Sequence, residues 1–204
     1  MIAVVDYDAG NIRSVTKALE SLGAEVRVTG DPADIEKADR IVLPGVGAFG
    51  KAAQSLVAKN LMDPLRNAIR AGKPFIGICL GMQLLYERSE ENPGVRGLGV
   101  IKGRVVRFPG GLKVPHLGWN QVFQKGSSPV WNEIPDGSFF YFAHSYFGVP
   151  ADASVISGET EYGVPYASSV RRGGLFGVQF HPEKSQKWGL KLLANFVRTP
   201  GPEC

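Results

Sequence analysis

Gly77-Ile78-Cys79-Leu80-Gly81 sets a cysteine midway between two glycines, after the apolar run FIGI and before the helical pattern LGMQLLYER. This is the G-x-nucleophile-x-G form of a nucleophile elbow, with a thiol in the place of serine. A strand turning abruptly into a helix presses the nucleophile's neighbours against backbone, so the positions two before and two after leave no room for a Cβ. Cys79 is expected to be strained and to project from the carboxyl end of its strand. The adjoining helix N-terminus would favour a thiolate there. The Leu80 backbone N–H lies where it can donate to an oxyanion. An isolated buried cysteine is more often an inert core residue, but the strand–elbow–helix setting reverses that preference.

A thiol nucleophile needs a base, and the chain has three histidines. His181-Pro182-Glu183 follows the apolar run LFGVQF. In extended chain, residues i and i+2 project to one face, so Glu183 can lie beside His181. Pro182 keeps that segment out of a helix interior. A carboxylate next to an imidazole orients the ring and stabilises its cation, the third role of a catalytic triad. His116, in VPHLGWN, and His144, in YFAHSYF, are competing bases. Neither has an acid two residues away, and both rank below His181. Three histidines without metal-ligand spacing argue against zinc.

A second glycine-rich segment, Gly45-Val46-Gly47-Ala48-Phe49-Gly50, matches G-x-G-x-x-G between a strand and a helix, as a dinucleotide fingerprint would. It follows the third expected strand rather than the first, and the first loop, YDAGN, lacks the pattern. Asp63, the acid nearest the required offset, reads as an N-cap before Pro64. PGVG is better explained as a loop that brings a second oxyanion N–H over Cys79.

The elements that must position these groups follow from periodicity. Residues 2–5, 25–29, 40–43 and 75–78 read as buried or alternating strands. Helical patterns separate them at 12–22, after Asp31-Pro32, near 50–59 and after Asp63-Pro64, with Gly23 and Gly72 as stops. From about Gly94 the strand-like runs lose their intervening helices, which indicates antiparallel hairpins. A final helix is expected over about 185–198. The fold class is therefore α/β: an open, mostly parallel sheet flanked by helices, with antiparallel strands in the C-terminal half, forming one domain over residues 1–204.

The 204 residues carry 23 basic and 19 acidic side chains, a net charge of +4, with 44% hydrophobic and 21% charged residues. That balance excludes a disordered chain, and the small, dispersed excess argues against a nucleic-acid surface. No apolar run is long enough to span a bilayer and the start does not read as a signal peptide, so a cytoplasmic protein is expected. Two cysteines provide no disulfide framework, and the terminal Cys204 is expected to be loose.

GICLGMQLL and FHPE together resemble the triad-type class I glutamine amidotransferases. DYDAGN, LPGVGAFG, PHLGWN and AHSY extend the likeness, end to end, to the ammonia-producing subunits of imidazole glycerol phosphate synthases in histidine biosynthesis. Leu117, where methionine is common in that family, is a volume-conserving departure. The resemblance implies that Cys79 attacks the side-chain amide of glutamine to form a thioester, that His181 moves the proton and that Glu183 orients His181. It implies an oxyanion hole from the Val46 and Leu80 N–H groups, the former after a reorientation of the Gly45–Val46 peptide. Gly47, Gln83, His144, Ser145 and Tyr146 would hold the glutamine. Asn11, Trp119, Tyr141 and Lys184 would face a (β/α)8-barrel cyclase in a heterodimer that receives the ammonia through an internal channel. No cofactor is implied.

Overall fold

The computed structural model describes residues 1–8 and 10–201; Ala9 and residues 202–204, Cys204 among them, lie outside the described residues. The first half alternates β1 (Ile2–Val5), α1 (Ile12–Ser21), β2 (Val26–Thr29), α2 (Pro32–Lys37), β3 (Arg40–Leu43), α3 (Phe49–Ala58), α4 (Met62–Arg70) and β4 (Phe75–Ile78). The second half runs α5 (Leu80–Gln83), β5 (Tyr86–Ser89), β6 (Ile101–Arg107), β7 (His116–Gln124), β8 (Ser138–His144), β9 (Tyr146–Pro150), β10 (Ile156–Glu161), β11 (Pro165–Arg172), β12 (Leu175–Val178) and α6 (Gln186–Arg198).

Nine strands form one sheet in the order β2-β1-β3-β4-β12-β11-β10-β7-β8. Neighbours from β2 through β12 are parallel, and those from β12 to β8 are antiparallel. The expected change of character thus occurs within a single sheet. The strands β5-β6-β9 make a separate sheet. Alternation along the parallel strands divides the core. Ala3, Val5, Ile41 and Leu43 pack under Leu56 of α3 and Leu65 of α4. Ile2, Val4, Val42 and Ile76 pack under Val15 and Leu19 of α1 and Leu192 and Phe196 of α6.

Two local expectations are corrected. Asp63 is not an N-cap: α4 starts at Met62, and Asp63 sits in the first turn, paired with Arg66 at 3.1 Å. Pro64 is tolerated there because the first-turn N–H groups have no intrahelical partner. The helix expected over LGMQLLYER lasts only from Leu80 to Gln83. The Leu98 and Ile101 amides take the carbonyls of Leu84 and Leu85, at 2.7 and 2.9 Å, so helical bonding stops and the chain continues as β5.

Both elbow glycines are sterically required. A Cβ on Gly77 would meet the Gly81 carbonyl at 2.7 Å, and one on Gly81 would land on the Leu43 carbonyl of β3. Gly81→Ala is therefore expected to destabilise by about 1–3 kcal/mol, read as a lowered Tm. An unchanged Tm would show that the elbow has slack that the backbone contacts do not reveal.

Candidate active site

β4 and β12 are parallel neighbours in register, Gly77 opposite Gly177 and Ile78 opposite Val178. Their carboxyl ends therefore release Cys79 and the Gln179–Glu183 segment at one place, where open α/β sheets gather functional groups. The Cys79 N–H is tied across to the Val178 carbonyl at 2.7 Å. Cys79 itself has φ 53° and ψ −108°, the strained elbow conformation that the two glycines accommodate.

His181 is almost fully buried, and its Nδ1 lies 2.8 Å from Glu183 Oε1, with the Glu183 side chain fully buried as well. Burial pushes the imidazolium down, but the Cys79 sulfur and the Glu183 carboxylate, through hydrogen bonding and charge, outweigh it and raise the pKa to about 10. Asn11, expected at a docking face, is half-buried and donates its side-chain amide to Glu183 Oε1, with His181 Nδ1 3.5 Å away. It steadies the carboxylate that orients the imidazole.

The other two histidines are placed elsewhere. His116 Nδ1 and His144 Nε2 are 3.3 Å apart, and the Tyr166 hydroxyl is 3.2 Å from each. Burial pushes the His116 pKa down to about 4. Burial, partly offset by the hydrogen bond to the Tyr146 carbonyl, takes that of His144 down to about 3. Both rings are neutral structural members of a buried network, unlike His181.

A cavity of about 210 Å³ opens over the sulfur, lined by Val46, Gly47, Cys79, Gln83 and the His144–Tyr146 segment, with Leu80 and Glu91 also on its wall. All five residues expected to hold glutamine are thus brought around Cys79. Gln83 Nε2 donates to the Tyr146 carbonyl at 2.9 Å and to Gln179 Oε1 at 3.1 Å, which uses both of its N–H groups. Glu91, not singled out by sequence, is the one carboxylate among the described lining residues. Its Oε2 accepts from the Phe49 N–H at 2.7 Å.

That bond also bears on the G-x-G-x-x-G segment. The Phe49 and Gly50 N–H groups opening α3 are occupied by Glu91 and by Asn92 Oδ1, the latter at 2.8 Å. A Cβ on Gly50 would strike the Asn92 side chain. The glycine makes room for an internal cap, not for a pyrophosphate. At the other end of the loop, the Gly45 carbonyl accepts from the Leu80 N–H at 3.3 Å. One of the two expected oxyanion donors is thus filled by the protein's own backbone. Turning the Gly45–Val46 peptide would free Leu80 and present the Val46 N–H. Such a turn rotates ψ of Gly45 and φ of Val46, and Gly45 carries no Cβ to oppose it. Tyr7, at the end of β1, holds the loop from beneath by donating to the Pro44 carbonyl at 2.8 Å.

Trp119, Tyr141 and Lys184 form one surface patch. Trp119 and Tyr141 are cross-strand partners with ring centroids 6.1 Å apart, and Lys184 Nζ lies 5.9 Å from the Tyr141 ring. Trp119 is 45% exposed and Leu117 65%. The Tyr141 carbonyl accepts from the His181 N–H at 2.8 Å, so the patch is one backbone bond from the imidazole.

The family model described as glutamine amidotransferase class-I matches residues 3–199. The chain is 51% identical to imidazole glycerol phosphate synthase subunit HisH of Moorella thermoacetica over 96% of its own length and 93% of the relative's. It is 52% identical to the same subunit of Aquifex aeolicus over 96% and 95%. Among solved structures, PurLQS from Thermotoga maritima superposes with a TM-score of 0.77 at 22% identity, covering 96% of each chain, which is a likeness of fold.

The raised pKa of His181 fixes a pH dependence of stability. A group whose folded pKa lies above its unfolded value stabilises fully below about 6.5, and loses that contribution as pH rises through about 10. Glu183→Gln is therefore expected to lower the unfolding free energy most near pH 6 and progressively less towards pH 10, measured by denaturant titration at several pH values. A pH-independent loss would contradict the imidazolium–carboxylate pair.

Proposed function

The chain belongs to the glutamine amidotransferase class-I family, and on that premise we propose that it is the glutaminase subunit of an imidazole glycerol phosphate synthase, supplying ammonia to a cyclase partner in histidine biosynthesis. The observation that supports the catalytic part is that the parallel neighbours β4 and β12 release Cys79 and the buried His181–Glu183 pair at one place. The near-complete overlap with subunits of that synthase supports the destination of the ammonia.

In this reading the Cys79 sulfur attacks the side-chain amide carbon of glutamine. The imidazolium of His181 protonates the departing nitrogen, releasing ammonia and leaving a γ-glutamyl thioester. His181, now neutral, takes a proton from water, whose oxygen attacks the thioester and liberates glutamate. Glu183, steadied by Asn11, keeps the ring oriented through both steps. Glu91 faces the α-ammonium of the substrate across the cavity, and Gln83 accepts from it through Oε1. Ser145, Tyr146 and the His144 backbone close the wall.

Oxyanion stabilisation needs the Leu80 and Val46 N–H groups, and the Gly45 carbonyl now holds the first. The isolated chain is thus in a low-turnover state, and a partner that turns the Gly45–Val46 peptide would switch it on. We place the partner, a (β/α)8-barrel cyclase, against Trp119, Tyr141 and Lys184. From there its contacts reach His181 through the Tyr141 carbonyl.

Cys79→Ala is expected to abolish glutamine-dependent synthesis by the complex and to leave synthesis from added ammonium salts intact, measured by product formation with each nitrogen source. Equal loss of both would contradict the assignment. Glutamine turnover by the chain alone is expected to be at least tenfold below that of the partner complex with cyclase ligand present; equal rates would remove the switch. Glu91→Gln should raise KM for glutamine by about tenfold, the size of one lost charge-assisted contact, with kcat little changed. An unaltered KM would move the α-ammonium elsewhere.

A further inference from the structure

Gln179 stands two residues before His181 and is wholly buried, yet the reaction as described gives it no role. Its side chain lies between the nucleophile and the glutamine-holding residue: Nε2 is 3.6 Å from Cys79 Sγ, and Oε1 accepts from Gln83 Nε2 at 3.1 Å. We propose that Gln179 is a positioning residue for the nucleophile, donating an amide N–H to the Cys79 sulfur and thereby favouring the thiolate and aiming it at the substrate carbon. The proposal rests on the thiol-based reading of the site.

The orientation of this amide is fixed by chemistry. A backbone carbonyl only accepts, so the atom of Gln83 facing the Tyr146 carbonyl at 2.9 Å must be its NH2. That NH2 also points at Gln179, so the Gln179 atom receiving it must be oxygen. The remaining end, facing sulfur, must then be NH2. The same carbonyl is 2.8 Å from His144 Nδ1, which holds a third group in register. Flipping the Gln179 amide would set two NH2 groups against each other and oxygen against a thiolate, so a single orientation is built into the fold. The Gln179 backbone is pinned as well, its N–H donating to the Ser168 carbonyl at 2.9 Å.

The ionisable groups around the sulfur do different work. His181, with Glu183 behind it, comes from the segment after β12 and is the proton partner. Tyr7 after β1 and Tyr166 on β11 are buried phenols held above their usual pKa by burial and by the Cys79 charge. His144 on β8 is held neutral by burial. Glu91 lies across the cavity, and its charge opposes a thiolate. Gln179 is neutral and its Nε2 has a short path to the sulfur, so it can stabilise negative charge there without consuming or supplying a proton. Because Gln83 holds the other end of the amide, substrate contacts at Gln83 Oε1 and donation to the nucleophile share one chain of hydrogen bonds.

The test is the pH dependence of Cys79 alkylation by iodoacetamide, followed by mass on the Cys79-bearing peptide so that Cys204 does not contribute. It is applied to the full chain, to Gln179→Met, which keeps the volume and loses the donor, and to Gln179→Glu, which keeps the oxygen facing Gln83. The alkylation midpoint should rise by about one pH unit in Gln179→Met, the size of one lost charge-assisted hydrogen bond, and further in Gln179→Glu. The plateau rate above the midpoint should be retained. Should Gln179→Met not fold, Gln179→Leu, which also loses the donor and adds no charge, carries the same test. A parental midpoint in the folded variants, or a lowered plateau without a shift, would overturn the proposal, since a merely structural role changes access and not ionisation. Alkylation needs no glutamine, so failure of the parent complex to turn over glutamine would strike the glutaminase reading separately.

Discussion

The parallel pairing of β4 with β12 is the contact on which the site depends. These strands are separated by about a hundred residues, and their register sets Val178 beside Ile78 with the Cys79 N–H bonded to the Val178 carbonyl at 2.7 Å. A slip of one residue would reverse every side chain on β12. Gln179 and His181 would then point away from the sulfur, and Phe180, now buried among Phe140, Phe142 and Trp131, would take their place. The aromatic packing of Phe180 on one face therefore protects the catalytic alignment on the other.

The two halves of the sheet divide the work. The parallel half supplies the nucleophile and the loop above it, both at strand carboxyl ends and both dependent on close backbone approach at Gly45, Gly77 and Gly81. β12, the last parallel strand, supplies the base, and the antiparallel half supplies the far wall of the cavity and the exposed aromatic patch and ties them together. The Tyr141 N–H donates to Ser185 Oγ at 2.9 Å, and Ser185 Oγ donates to the His181 carbonyl at 2.6 Å, so the patch and the His181 turn are tied together. The buried His116–His144–Tyr166 cluster stiffens the strands behind this wall. Its rings stay neutral, which spares the core an unpaired cation.

Much of this was legible in the sequence because short-range rules govern it. The elbow glycines, the strand periods, the Asp31 cap accepting from the Ala33 N–H at 2.9 Å and the His181–Glu183 spacing are each decided within a few residues. What escaped depends on partners distant in sequence. The helix after the elbow is cut short by amides from Leu98 and Ile101, which no local pattern announces. Asn11 lies 172 residues from the carboxylate it contacts. Glu91 lines the cavity from the turn after β5. Gln179 was within reach, since the i, i+2 rule that paired His181 with Glu183 extends back to it. Tyr7 too could have been suspected, at the carboxyl end of a parallel strand.

The central claim is that Cys79 is a nucleophile activated by His181. It is tested most directly by reaction with a glutamine-shaped electrophile such as diazo-oxo-norleucine, with peptide mapping of the adduct in the parent chain and in His181→Ala. A working thiol–imidazole pair predicts one adduct, on Cys79, slowed by competing glutamine and formed far more slowly in His181→Ala. An unmodified Cys79, or equal rates in both chains, would contradict it.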